Sequence, residues 1–184
     1  LQATVVFGRA ALSDDGRDLP THLRRRAERM LLQPERNALL QSYAQLALLL
    51  DGDDQANYSL SRRAGYFAVA VCPEGKIGVD VEQVIQTDDI DTVASCYFPA
   101  KLYQSYIKLP EGQRPRQFAA GWSALEAVAK LRSIPLEDAG KNLISTLLYQ
   151  CWIADDMVLS VALDQEVELN LTTLTGVECI LTRI

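Results

Sequence analysis

The chain has 184 residues, 48% of them hydrophobic, with a formal net charge of −6. That is enough apolar material for one large or two small domains and excludes a disordered chain. The acid excess argues against nucleic acid as the main partner, and neither a run of about 18 apolar residues for a membrane span nor a signal-peptide pattern is evident.

In chain order, Ala3 to Gly8 reads as an opening strand and Ser13 to Asp18 as a polar turn. A helix is expected from Leu19 to Leu32, entered through Pro20 and Thr21. Leu23, Ala27, Met30 and Leu31 would face its core, with Arg24, Arg25, Arg26 and Arg29 over much of the rest. Those arginines read equally as a basic patch or as a solvated helix face. Pro34 to Leu50 reads as a second helix with proline near its first turn. After an acidic connection, Asn57 to Arg63 alternates polar and apolar residues. Tyr66 to Cys72 and Lys76 to Glu82, joined through Pro73-Glu74-Gly75, are expected to pair as a β-hairpin.

A polar loop follows to about Asp91, then short helices over Ile90 to Cys96 and Ala100 to Leu109, with a break at Phe98-Pro99. Pro110 to Pro115 reads as a loop. Phe118 to Lys130 is alanine-rich and free of proline, so it reads as a helix ending near Arg132 to Pro135. The tail is expected to be β-rich: Ile144 to Ile153, Met157 to Ala162, Val167 to Leu174 and Val177 to Thr182, with a turn at Asp155-Asp156. A faint internal echo, a long apolar helix followed by an alternating strand, occurs once in each half.

Cys72, Cys96, Cys151 and Cys179 show no zinc spacing and no disulfide framework, which fits a reducing cytoplasm. Cys72 and Cys151 read as small buried hydrophobes. The single histidine, His22, reads as a surface residue, so Ser-His-Asp or Cys-His chemistry has little support. The start at Leu1 is read as a trimmed terminus.

Two stretches carry candidate chemistry. On the strand ending at Glu82, Asp80 and Glu82 are two apart, so both carboxylates point to one face. Paired like charges need a cation or donors to neutralise them, and a hard cation such as Mg²⁺ takes oxygen ligands. The same pattern also suits an exposed polar strand face. On the later helix, Trp122, Glu126 and Lys130 recur every fourth residue and share one stripe. Alone, Glu126 and Lys130 read more readily as a simple surface pair, because such pairs are common.

Taken together, Gly78, Asp80, Glu82 and then Trp122-Ser123-x-x-Glu126-Ala127-x-x-Lys130 resemble the two motifs of the 4'-phosphopantetheinyl transferases of the Sfp type. The likeness runs from about Leu19 to Leu163 and includes Tyr97-Phe98-Pro99 between the motifs. It implies an α+β fold of two pseudo-symmetric halves, divided here as residues 1–85 and 86–184, with the site at their interface. The resemblance implies Mg²⁺ held by Asp80, Glu82 and Glu126, coenzyme A as co-substrate, and Lys130 on its phosphates. Glu126 is the candidate base, Lys130 the second catalytic residue, and Ser61 and Arg62 are expected to join Lys130 in binding coenzyme A. The implied reaction transfers 4'-phosphopantetheine to a serine of an apo acyl or peptidyl carrier protein and releases 3',5'-ADP. A cytoplasmic monomer that binds neither nucleic acid nor membrane is expected. Trp122 is expected to pack rather than react.

The sequence also departs from that family. Arg62 stands where a histidine often follows Ser-x-Ser, and Leu125 replaces a lysine before the second-motif glutamate. The Gly-Lys-Pro segment is absent, Tyr43 and Ala47 stand where the long helix usually carries arginines, and Ser133 stands near the usual glycine. Each charge-assisted phosphate contact is worth about 1.5–3 kcal/mol. A binding protein of the same fold, catalytically degenerate and docking a carrier domain or another partner, is therefore the alternative. An acidic α+β domain with chance motif matches is the third reading.

Overall fold

The computed structural model describes residues 2–10, 20–30, 32–53, 55–153, 156–174 and 179–184. The expected turn over Ser13 to Asp18, and the expected roles of Leu19, Leu31, Asp155 and Val177, lie outside the described residues. The first part of the chain forms strand β1 (Gln2–Arg9), helices α1 (Thr21–Glu28) and α2 (Gln33–Leu50), and strands β2 (Asn57–Arg63) and β3 (Tyr66–Cys72). The middle forms β4 (Ile77–Gln83) and helices α3 (Ile90–Tyr97), α4 (Ala100–Ile107), α5 (Arg114–Arg132) and α6 (Leu136–Asn142). The end forms β5 (Leu147–Ile153), β6 (Met157–Leu163), β7 (Glu168–Thr173) and β8 (Thr182–Arg183).

The strands build two four-stranded sheets, ordered β2-β3-β1-β7 and β4-β6-β5-β8. This is a mixed α+β fold. The same path recurs in both: one strand, a long helix, then an antiparallel pair whose second strand lies beside the first. The order β2-β3-β1 in one sheet thus mirrors β5-β6-β4 in the other.

The expected hairpin between Tyr66 to Cys72 and Lys76 to Glu82 does not form. β3 pairs with β1 and β2, whereas β4 pairs antiparallel with β6. The reason is packing. Ala68, Ala70 and Cys72 of β3 and Ile77, Val79 and Val81 of β4 enter one apolar cluster shared by the two sheets. Strands that meet across a core alternate as hairpin strands do, so pattern alone does not separate the two cases. Pro73 to Gly75 carries the chain from sheet to sheet. The tight hairpin is β2–β3. Its two-residue loop, Ala64 and Gly65, has φ of 52° and 78°, the left-handed pair that matches strand twist.

Each sheet covers its outer face with a helix. Val6, Phe67 and Val69 of the first sheet pack on Ala38 and Leu46 of α2. Leu148 and Ala162 of the second pack with Leu125, Val128 and Leu131 of α5. Gln150 fixes α5 further, donating to the Ala120 carbonyl at 2.7 Å and to Ser160 Oγ at 2.7 Å.

Several boundaries moved. α5 starts at Arg114, with Pro115 in its first turn, because proline suits a position where no intrahelical donor is needed. α6 was not expected, and β5 begins at Leu147 rather than Ile144. β7 returns to the first sheet and runs parallel to β1. Cys72 is buried as expected. Cys151, however, is not a simple buried hydrophobe: it forms a disulfide with Cys179, 28 residues away. The bridge ties the end of the chain beside the β5–β8 pairing.

At Gly78 β4 and α5 approach closely. A Cβ there would collide with the Ala127 carbonyl oxygen and lie 2.7 Å from the Leu131 nitrogen. Both obstacles are backbone, so the helix itself would have to move. Gly78→Ala is therefore expected to cost about 3 kcal/mol, measured as a fall in the urea midpoint. An unchanged midpoint would contradict the described approach of α5.

Candidate active site

β4 is an edge strand of the second sheet, yet it is buried. Its outward backbone groups therefore need partners other than a strand. Serines on β2 supply them: Val79 N–H donates to Ser59 Oγ at 3.0 Å and Val81 N–H to Ser61 Oγ at 3.2 Å. From α5, Lys130 Nζ donates to the Val79 carbonyl at 3.1 Å and Ser123 Oγ to the Asp80 carbonyl at 3.2 Å. The two sheet edges and α5 are thus joined by side chains around one strand.

Asp80 sits at this junction and is 2% exposed. Its Oδ1 accepts from Ser61 Oγ at 2.8 Å and from Lys130 Nζ at 2.7 Å. Its Oδ2 is buried and has no hydrogen-bond partner among the described residues. Glu82, two residues on, points to the same face and meets Arg63 with Nε 3.2 Å from Oε2. Glu126 lies one turn before Lys130 on α5, its Oε2 4.0 Å from Nζ. Burial first, and the nearby Asp80 carboxylate second, push Glu82 up to about 7, with Arg63 opposing. The same two causes raise Glu126, with Lys130 opposing.

These side chains line one cleft of about 420 Å³. Asp80, Glu82, Glu126, Lys130, Ser61 and Arg62 all contribute to it, and Met30 and Glu35 close the side toward α1 and α2. The residues singled out in the sequence are therefore brought together. Their roles differ in kind. Ser61 has its donor on Asp80 and accepts from Val81, so its contacts brace the junction. Arg62 points toward α2, with its terminal nitrogen 3.4 Å from Ser42 Oγ, and burial lowers its pKa. Trp122 packs, stacked on Phe118 at 5.7 Å and edge-on to Tyr97 at 5.4 Å.

Sequence reasoning missed Arg63, the Ser59 and Ser123 braces, and Glu35. The alternation of β2 would have found Arg63, since Ser61 and Arg63 are two apart and share a face. Among the described residues no group of three His, Cys, Asp or Glu is gathered closely enough to hold a metal ion. By chemistry the cleft does suit a hard cation: its free donors are carboxylate oxygens, one of them the unpartnered Asp80 Oδ2. Crowded, buried carboxylates are also what a cation would relieve.

Residues 76–150 match the sequence model of the 4'-phosphopantetheinyl transferase superfamily. That span holds Asp80, Glu82, Glu126 and Lys130 but stops short of Ser61 to Arg63 on β2. No curated protein matches the chain. No helix among the described residues is long and apolar enough to cross a membrane.

Lys130 is the cation paired with the buried Asp80 carboxylate, its Nζ 2.7 Å from Oδ1. Lys130→Met is expected to destabilise the fold by about 3 kcal/mol, because it strands a buried carboxylate. Urea unfolding measures this, and wild-type stability would refute it. If the carboxylates take a hard cation, millimolar Mg²⁺ should raise the melting temperature of this variant more than that of the wild type.

Proposed function

We propose that this chain, which belongs to the 4'-phosphopantetheinyl transferase superfamily, is a divergent Sfp-type enzyme acting on an apo acyl or peptidyl carrier protein. The observation that carries the reading is the cleft itself. Three carboxylates and a lysine, drawn from β4 and α5, surround one polar junction inside the span that matches the superfamily.

In the proposed reaction, a carrier serine hydroxyl attacks the β-phosphate of coenzyme A. A new phosphorus–oxygen bond forms, the bond to the 3',5'-ADP portion breaks, and 3',5'-ADP departs. Such transfer needs positioning and charge neutralisation more than covalent catalysis by the protein. Glu126 takes the serine proton; burial and Asp80 raise its pKa, which brings a carboxylate nearer to a useful base at neutral pH. Lys130 places an ammonium group beside the phosphates. Asp80, Glu82 and Glu126 are not gathered closely enough to hold a metal ion by themselves; with substrate phosphate oxygens completing the ligand set they would hold Mg²⁺, which supplies charge neutralisation on those oxygens. Ser61 and Ser123 hold Asp80 and its backbone in place.

The chain is proposed to act as a monomer built of two related halves. The cytoplasmic location expected from the cysteines loses that support, because Cys151 and Cys179 are paired.

Two observations favour the second reading, a binding protein of the same fold. Leu125, where the resembling family often has a lysine, is fully buried, and Arg62 faces α2 rather than standing free. Fewer phosphate contacts then remain. Calorimetry with coenzyme A and Mg²⁺ separates the two, since clear micromolar binding counts against a degenerate site.

Glu126→Gln tests the enzyme directly. It is expected to lower transfer by about 10²–10⁴-fold while leaving the melting temperature unchanged or raised, because the lost charge is one that burial disfavours. Intact-mass spectrometry of apo carrier proteins incubated with coenzyme A and Mg²⁺ gives the readout. Wild-type turnover by the variant would remove Glu126 from the role of base.

A further inference from the structure

Arg63 is the last residue of β2 and closes the hairpin opposite Tyr66. The two-residue loop that follows it has both φ values in the left-handed region, the turn that matches strand twist. Its second residue, Gly65, lies against Pro34 at the start of α2, where an added Cβ would sit 3.0 Å from the proline ring. The backbone that carries Arg63 is therefore held by the β2–β3 ladder on one side and by α2 on the other.

Adjacent residues on a strand face opposite ways, and the two arginines at the end of β2 obey this. Arg62 goes to Ser42 on α2. Arg63 goes to Glu82 on β4, with Nε 3.2 Å from Oε2. Its side chain remains 43% exposed and lines the cleft. Among the described residues, its two terminal amino groups meet no partner.

A guanidinium offers five N–H donors in a planar fork. Here a single nitrogen meets the carboxylate. A single-point, half-exposed pair of this kind adds little to stability, so holding the fold does not account for the fork. Its unused donors lie on the β2 wall, while Lys130 lies on the α5 wall of the same cleft. A planar fork of free donors matches phosphate oxygens.

We propose that Arg63 is a phosphate-binding residue of the cleft, keeping Nε on Glu82 and taking a phosphate group of coenzyme A with its terminal N–H groups. The identity of the phosphate-bearing molecule rests on the transferase reading; the anion site does not. Arg63 thereby ties the substrate to Glu82 through one guanidinium. It supplies from β2 a contact that Arg62, turned to α2, is badly placed to make.

Calorimetry in Mg²⁺-containing buffer, with coenzyme A and with inorganic pyrophosphate as separate probes, tests the assignment on wild type, Arg63→Gln and Arg63→Lys. Melting temperature checks folding. Arg63→Gln is expected to weaken both probes by about tenfold or more, the loss of a charge-assisted contact. Arg63→Lys is expected to weaken them less, since it keeps the charge and loses the fork. If Arg63→Gln does not fold, Arg63→Lys decides: a loss of about threefold or more supports the proposal and unchanged binding overturns it. Folded variants that bind both probes as tightly as wild type overturn it, as does a wild type that binds neither. Pyrophosphate binding that depends on Arg63, without transfer to any carrier protein, would sustain the anion site and sink the transferase.

Discussion

A carboxylate buried at the edge of a sheet is the constraint around which this molecule is arranged. Asp80 is 2% exposed, and a buried charge is tolerated only when donors or a countercharge surround it. Ser61 comes from the first sheet and Lys130 from the helix over the second. Both must arrive together, because either alone leaves the carboxylate short of partners. The same two residues also satisfy the backbone of β4, through Val81 and Val79. One acidic side chain thus sets the distance between two sheet edges and a helix.

Glycine and serine make that closeness sterically possible. Gly78 lets the backbone of α5 descend onto β4, and Ser59, Ser61 and Ser123 are short enough to bond a strand edge without wedging it away. Apolar packing does the remainder at longer range. The central cluster joins the inner faces of both sheets, and α2 and α5 seal the outer faces. The polar junction lies along β2 and β4, where the two sheets come together, so a site lined by both becomes accessible as a cleft there.

Much of this was legible in the sequence, and the failures share a cause. Asp80 and Glu82 on one strand face, and Glu126 and Lys130 on one helical stripe, follow from local periods of two and 3.6 residues. The long helix α2 was legible from other signs, a proline near its first turn and an apolar C-terminal half. What local period does not carry is partnership. β3, a continuous apolar run, and β4, which alternates, are joined by a turn as hairpin strands are, yet they meet across the core, and β7 crosses back to pair with β1. The Cys151–Cys179 bridge is equally non-local. Arg62 was chosen over Arg63 because it occupies a motif position, although strand alternation already sends the two to opposite faces. The neighbour outside the motif is the one that meets a site carboxylate.

Charge balance then explains why this cleft suits the proposed chemistry only in company. Four carboxylates, those of Glu35, Asp80, Glu82 and Glu126, line it against three cations, Arg62, Arg63 and Lys130. One of those cations is directed at α2 and another already holds Asp80. A pyrophosphate brings further negative charge into a wall with formal acid in excess, inside a protein that is itself acidic. Repulsion of this kind is relieved either by protonating the carboxylates or by a cation that enters with the phosphate. Protonation would take up the oxygens that the proposed base and metal ligands need. A divalent cation would offset the charge and leave those oxygens in use, so in the proposed reaction the arrangement that raises Glu82 and Glu126 in the free protein would also make phosphate binding depend on such a cation.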